Sequence, residues 1–583
     1  MTAVELRDRI LRTVAANGGH LASSLGAVEI SMALAEVFDP FRDRVVWDVG
    51  HQAYAWKLLT GRDGAFGTLR RHGGLSGFPN PAESAADAAV AGHAGVALSV
   101  AEGLAAARDR RGTDEQVVAV VGDGALVNGT CFEALNNLVG ATAKVIVVLN
   151  DNGMAISKPA GSVSRFLGRL TSGLRYNRAK NGVKRICRAL RLGFAYGFVH
   201  RVKTRLKGLF LGNAFFEQFG LHYLGPVDGH DLGALKAALT VAREDRRSVL
   251  VHVVTRKGRG FAPAEKDPTR WHGTGPFEYP PGAGTPAAPN PPARTAPGWS
   301  EVFGRALCDA ARDDGRIVAL TAGMRDGTGL GEFAASYPGR FFDVGIAEGH
   351  MVAFAAGLAA GGQRPVVAVY STFLQRAVDQ VMHDVCVSGL PVVFCVDRAG
   401  VVGADGVTHQ GLYDLAMLRT LPNLTICQPK DADDLRALLG EALKRNGPTV
   451  IRYPRGKAPQ SIAVDGGRRQ SGVAIWATGD QLGKAQEVAA KIGAEVVFAR
   501  YLKPFDAETL RRQRAAGMTV VSLENGALAG GFGEAIGADV RFGWPDRFIP
   551  HGAPDELERE FGLDADSIVA ALRSRSGCAA PHR

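Results

Sequence analysis

The 583-residue sequence contains no apolar run of the roughly 18 residues that a membrane-spanning helix needs. An integral helical membrane protein is therefore not expected. Its seven cysteines (Cys131, Cys187, Cys308, Cys386, Cys395, Cys427, Cys578) are scattered, with no CxxC pair and no histidine spacing suited to zinc. No disulfide framework follows, and several of these thiols lie in apolar runs, as reduced core residues of a cytoplasmic protein do. The N-terminal stretch MTAVELRDRILRTVAANGG is amphipathic and carries acids, which matches neither a secretory signal nor a transit peptide. Acidic residues are missing from one long stretch further on. From Asn152 to Phe216 there is no Asp or Glu but there are 14 Lys and Arg, so the net charge of +10 becomes 10 − 14 = −4 for the rest. Such a block can hold nucleic acid or an acidic membrane surface, attract anions to a phosphate-handling site, or be a solvated, partly helical insertion. No aromatic-interleaved nucleic-acid module accompanies it, so neither nucleic acid nor membrane is an expected partner.

What is present is an α/β texture repeated in blocks. The length exceeds one core and suggests about three to four domains. Residues 276–297 hold eight prolines in 22 positions, which rules out a helix or an inner strand there. A second polar break, KAPQSIAVDGGRRQSG, runs from Lys457 to Gly472. The expected blocks are therefore 1–275 with a basic insertion at 155–216, a linker at 276–298, then 299–456, a linker at 457–471, and 472–583. Each block carries strand-like apolar runs (VVAVV and VLVHVV, PVVAVY and PVVFCV, GVAIWA and TVVSL) followed by Gly-rich turns and helical patterns. That alternation predicts α/β domains with mainly parallel sheets flanked by helices.

Two strand ends in the first block carry the chemistry. QVVAVV runs into VGDGA, and KVIVVL runs into LNDNGM, with Asn152 lying 29 residues after Asp123. Adjacent strand ends of an open α/β sheet form the crevice where such sheets bind ligands. Asp123 offers a carboxylate oxygen there, Asn152 an amide oxygen and Met154 a backbone carbonyl. Gly122 and Gly124 let the backbone approach a phosphate closely. Hard oxygen donors beside a glycine turn suit Mg²⁺ bridging a diphosphate. A lone GDG is more often a turn; it is the NDN strand end about thirty residues on that gives the pair its meaning.

The pair resembles the thiamine diphosphate motif of transketolase-like enzymes. Over nearly its whole length the chain is similar to the 1-deoxy-D-xylulose-5-phosphate synthase family. The resemblance runs through GGHLASSLGAVE (18–29), WDVGHQAY (47–54), GGLSGFP (73–79), LGPVDGHD (224–231), TRKGRGFAPAE (255–265) and RWHGTGPF. It continues through FFDVGIAEGH (341–350), YSTFLQRAVDQ (370–380), DRAGVVGADGVTHQG (397–411), IRYPRG (451–456), GGFG and FIPHG. It implies a transketolase-like homodimer of three domains, named diphosphate-binding, pyrimidine-binding and C-terminal in chain order. It further implies the cofactors thiamine diphosphate and Mg²⁺. The implied reaction condenses pyruvate with D-glyceraldehyde 3-phosphate, releasing CO₂ and giving 1-deoxy-D-xylulose 5-phosphate, the first step of non-mevalonate isoprenoid synthesis.

Roles follow from the same resemblance. Glu348 matches the carboxylate that activates the cofactor's aminopyrimidine ring, although a Glu at a helix start also complements the helix dipole. His20, His51 and His409 match proton-shuttling positions, a task suited to groups titrating near neutral pH. His51, Gly92, His93, Ala94, Gly124, Ala125, Asn152 and Phe261 match cofactor-contacting positions. Lys257 is placed to reach the diphosphate or is simply part of a basic loop. Arg398 and Arg455 match the anchors of the acceptor phosphate, where guanidinium geometry is an advantage. Tyr370, Asp405, Arg376 and His272 match substrate-pocket positions. His230, His252 and Glu524 are read as structural.

The chain also departs from the family pattern. GHSST is GHAGV here (Gly92–Val96), YPHK is YAWK (Tyr54–Lys57), the Gln after Glu348 is Gly349, and TGG is Val127-Asn128-Gly129. These departures keep open a related thiamine-dependent carboligase or transketolase with another acceptor. The basic block keeps open a non-catalytic polyanion-binding relative.

Overall fold

A computed structural model describes residues 1–153, 213–279, 296–466 and 471–576. Met154, residues 155–212 of the basic insertion, Cys187, Cys578 and residues 280–295 of the Pro-rich linker lie outside the described residues. The chain divides into two compact units, Met1–Leu69 with Gly74–Asn290, and Arg70–Gly73 with Pro291–Arg583. Among the described residues no helix is long and apolar enough to cross a membrane.

The first unit is built on five strands: β1 (Arg44–Trp47), β2 (Val117–Gly122), β3 (Ile146–Asp151), β4 (His222–Asp228) and β5 (Val249–Val254). They lie in the order β1-β2-β3-β5-β4, and every pairing is parallel. Every residue of β3 is buried, as expected of a central parallel strand covered on both faces. Helices Val28–Val37 and Leu232–Glu244 pack on one face, where Ile30, Leu34, Leu235 and Leu239 meet Val118, Val120, Val148 and Val251. The boundaries of these helices have local causes. Asp231 caps the start of Leu232–Glu244 by accepting from the Ala234 N–H at 3.0 Å. Helix Ala97–Arg111 ends at Gly112, whose φ of 68° is the left-handed stop that glycine adopts freely.

The second unit contains two sheets. Strands β6 (Ile317–Thr321), β7 (Phe341–Asp343), β8 (Arg364–Tyr370), β9 (Val393–Asp397), β10 (Thr425–Cys427) and β11 (Thr449–Arg452) are all parallel. Strands β12 (Val473–Thr478), β13 (Glu495–Ala499), β15 (Thr519–Ala527) and β16 (Val540–Trp544) form a four-stranded parallel sheet in the order β13-β12-β15-β16. Between β13 and β15 in sequence, the short β14 (Tyr501–Lys503) leaves its own sheet. It pairs antiparallel with β10, completing a seven-stranded order β14-β10-β11-β9-β8-β6-β7. Pro504 follows at once, which suits an edge position where one row of donors faces away from the sheet. The class is α/β with mainly parallel sheets flanked by helices. A shared core joins the two sheets: Trp476, Val520 and Phe532 pack in one cluster with Val369, Leu418 and Ile426.

Candidate active site

In the first unit the chemistry sits at the carboxyl edge of the sheet. β2 and β3 are adjacent and in register, with Gly122 opposite Asn150, so Asp123 and Asn152 emerge side by side. Asp123 is 5% exposed, and the backbone amides of Gly124 and Asn152 favour its ionised form. Thus the GDG turn and the NDN turn meet at this carboxylate. Burial and then the charge of Asp151 push the Asp123 carboxyl up from its usual range. Lys257, which follows β5, is also buried. Desolvation lowers its ammonium pKa, and Asp123 pulls it back up. The pair is a desolvated carboxylate facing a desolvated cation.

The preceding loops are tied to the same edge. Gln52 Oε1 accepts from Asn150 Nδ2 at 2.8 Å, and Thr255 Oγ1 donates to Asn150 Oδ1 at 2.5 Å. This joins the His51–Gln52 turn after β1 to the end of β3. The GGH segment is zipped to the RWHGT segment: the Gly19 N–H donates to the Thr274 carbonyl at 2.8 Å and the Thr274 N–H to the Gly19 carbonyl at 2.9 Å. As a result His20, His51 and His272 form one cluster, with ring centroids 5.1 Å apart for His51–His272 and 6.0 Å for the other two pairs. Phe78 of GGLSGFP packs against His20 at 5.2 Å. Phe261 lies in an aromatic cluster with Trp271, Phe277 and Tyr279, directly beside the segment that carries His272. The Gly92–Val96 loop is pinned by Asp48, which accepts from the N–H groups of Gly95 (2.9 Å) and Ala97 (3.0 Å). Trp56, the residue that departs in YAWK, is fully buried and packs against Trp47 at 6.1 Å.

In the second unit, too, the expected residues follow strand ends. Glu348 follows β7 and opens helix Glu348–Ala360. It is 3% exposed, burial raises its pKa, and its Oε2 has no hydrogen-bond partner. Arg376 Nε lies 3.4 Å from that oxygen, an ion-pair distance. Tyr370 ends β8, Arg398 follows β9, and Arg455 follows β11. These three strands are neighbours in the sheet. The Arg398 guanidinium lies 3.7 Å above the Tyr370 ring. Arg455 keeps an exposed face, and partial desolvation followed by the like charges of Arg398 and Arg70 lowers its pKa below the usual guanidinium value. Asp405 is ion-paired with Arg70. His409 packs edge-on against Phe373 at 5.6 Å, and Phe373 stacks on Tyr370 at 5.7 Å.

One residue of the second site was missed by the sequence reading. Arg70 converges with Arg398 and Arg455, yet its segment TLRRHGG carries no pattern that separates it from a basic loop. His252 satisfies its structural reading as the middle of a buried chain: Tyr223 Oη meets His252 Nδ1 at 2.7 Å, and His252 Nε2 meets Asp151 Oδ2 at 2.9 Å. Asp151 in turn accepts from the Gly153 N–H at 3.0 Å, so the chain braces the turn that presents Asn152. The only sequence signal was a lone polar residue in the apolar run VLVHVV. His230 also satisfies its structural reading, meeting Glu29 at 3.1 Å and accepting from the Arg256 N–H at 2.9 Å.

Residues 295–460 match the transketolase pyrimidine-binding domain, and residues 464–568 match the transketolase C-terminal domain. The chain is thus a transketolase-type transferase, of the thiamine diphosphate-dependent class. Residues 1–255 match the family model described as 1-deoxy-D-xylulose-5-phosphate synthase. The 1-deoxy-D-xylulose-5-phosphate synthase of Desulforudis audaxviator is 46% identical, with 98% of this chain and 94% of that protein aligned. The 1-deoxy-D-xylulose-5-phosphate synthase 2 of Geobacter sulfurreducens is also 46% identical, over 98% of this chain and 96% of its own. Among solved structures, the transketolase from Leishmania mexicana aligns over 99% of this chain and 98% of its own at 20% identity, with a TM-score of 0.45. The chain belongs to the 1-deoxy-D-xylulose-5-phosphate synthase family.

Proposed function

We propose that this chain condenses pyruvate with D-glyceraldehyde 3-phosphate, with loss of CO₂, to give 1-deoxy-D-xylulose 5-phosphate. Thiamine diphosphate supplies an acidic carbon that adds to a keto acid and takes up the electrons released on decarboxylation. The observation that carries the reading is Glu348: a buried carboxylate with a raised pKa and an Oε2 left without a hydrogen bond. Such an atom is costly unless a ligand completes it, and an aminopyrimidine nitrogen is a suitable partner.

The rest of the chain's residues fall into supporting roles. Asp123, Asn152 and Met154 would hold Mg²⁺ through hard oxygens, and Lys257 would complement the diphosphate charge. Gly92, His93, Ala94, Gly124, Ala125 and Phe261 would line the cofactor. His20, His51 and His409 would hold and pass protons near neutral pH, with His272 lining the substrate pocket. Arg398 and Arg455 would grip the acceptor's phosphate, with Tyr370, Asp405 and Arg376 lining the pocket. The working form in this reading is a cytoplasmic homodimer, organised into domains 1–275, 299–456 and 472–583.

Mass analysis of the product made from pyruvate and D-glyceraldehyde 3-phosphate tests the reading. A deoxypentulose phosphate that disappears in Glu348→Ala supports it; a product of another mass, or none, overturns it.

A further inference from the structure

Arg398 has a backbone φ of +60°, a left-handed conformation that a long side chain keeps only where its surroundings over-determine it. Here they do. Every backbone N–H from Ala399 to Gly403 donates to a fixed acceptor. Ala399 reaches the Tyr453 carbonyl at 3.0 Å and Gly400 the Gly411 carbonyl at 2.7 Å. Val401 reaches Asn525 Oδ1 at 3.1 Å, and Val402 and Gly403 share Gln410 Oε1 at 2.7 and 3.3 Å. One of these acceptors comes from the four-stranded sheet: Asn525 lies in β15. It sits hard against the loop, since a Cβ added at Gly400 would stand 2.2 Å from Asn525 Nδ2.

Asn525 is itself locked by a closed ring of hydrogen bonds. Its Nδ2 donates to Asp480 Oδ2 at 2.9 Å, and Gln428 Nε2 donates to Asp480 Oδ1 at 2.7 Å. Arg452 Nη1 donates to Gln428 Oε1 at 2.7 Å, and Arg452 Nη2 returns to the Asn525 carbonyl at 3.3 Å. Asp414 holds Arg452 from two sides at 2.9 and 3.0 Å, with both residues 1% exposed. Trp544 Nε1 adds a second donor to Asn525 Oδ1 at 3.0 Å. With each side-chain amide held at both its oxygen and its nitrogen, the ring has one arrangement rather than several.

We infer that Asn525 is a positioning residue for recognition of the acceptor's phosphate, fixing the Arg398–Gly403 loop through the Asn525–Asp480–Gln428–Arg452 ring. The inference rests on Arg398 being a phosphate anchor, as proposed above. Wild type, Asn525→Ala and the milder Asp480→Asn are compared with pyruvate and either D-glyceraldehyde 3-phosphate or unphosphorylated D-glyceraldehyde. Asn525→Ala raises KM for the phosphorylated aldehyde about tenfold and Asp480→Asn about threefold, while kcat and KM for D-glyceraldehyde stay within about twofold. Inhibition by inorganic phosphate, competitive with the phosphorylated aldehyde, weakens by the same factors. Where Asn525→Ala does not fold, Asp480→Asn decides. Equal changes for the two aldehydes, or a fall in kcat at unchanged KM, overturn the inference. A wild-type preference for the phosphorylated aldehyde that survives undiminished in the variants overturns this inference alone. A wild type without that preference overturns the functional reading as well.

Discussion

Gly95 stands at φ +82° with its missing Cβ pointing at Asn128: an atom there would lie 2.5 Å from both the Cγ and the Oδ1 of that side chain. Both positions depart from the family pattern, which has Ser in GHSST and Gly in TGG. The structure makes them one exchange. Removing the side chain at 95 creates the space that the Asn128 amide fills, and Asn128 uses it to cap helix Gly129–Ala141 by accepting from the Thr130 N–H at 3.1 Å.

The first prediction is a coupling between these two positions. Gly95→Ser in the native background costs about 1–3 kcal/mol, through the positive φ and the clash. Asn128→Gly alone costs a few tenths of a kcal/mol, the usual loss when a cap becomes glycine. Together they cost at least about 0.5 kcal/mol less than the sum. Denaturant melts of the four proteins measure this, and simple additivity contradicts it.

Glu348 matters to activity more than to stability. Glu348→Gln removes a charge that burial already disfavours, against the loss of its long 3.4 Å ion pair with Arg376, so the melting temperature changes little. Turnover falls about 10²-fold or more, because the group that would exchange a proton is gone. A variant that loses both stability and activity would mark Glu348 as structural.

Asp123→Asn gives the corresponding test at the diphosphate end. The apo protein melts no lower, since burial and Asp151 already disfavour the ionised carboxyl. Thiamine diphosphate with Mg²⁺ raises the melting temperature of the wild type, by about 2.7 kcal/mol of stabilisation at a hundredfold excess over Kd. The variant shows no Mg²⁺-dependent part of that rise. An EDTA-insensitive shift, equal in both proteins, counts against the assignment.

Glu524 supplies a pH dependence of stability. Burial pushes its carboxyl from 4.5 up to about 7, against the Phe532 and Gly533 N–H donors at 2.6 and 2.8 Å. Between those values the native state binds a proton that the unfolded chain has lost. Its contribution is therefore full below the unfolded pKa and falls away as pH rises through the folded one, by on the order of 3 kcal/mol. Glu524→Gln flattens that slope. Denaturant midpoints at about pH 5 and about pH 7.5 measure it.

Most of this architecture was legible because parallel strands buried on both faces read as apolar runs, and the turns after them carry the chemistry. Asp123, Asn152, Arg398 and Arg455 all follow such runs. What stayed hidden depends on three-dimensional return of the chain. Nothing local to TLRRHGG brings Arg70 to Asp405. No periodicity sends β14 from its own block to the edge of the preceding sheet. Asn525 lies within the strand TVVSLENGA, where its side chain meets a loop more than a hundred residues earlier. The departures GHAGV and VNG looked like separate losses in the sequence and are one packed contact in the fold.

CO₂ release from pyruvate, with thiamine diphosphate and Mg²⁺, in the presence and absence of D-glyceraldehyde 3-phosphate, decides whether this chain runs the synthase reaction. The synthase reaction gives strong release that depends on the aldehyde. Release that ignores this aldehyde, or none with cofactor bound, would contradict it.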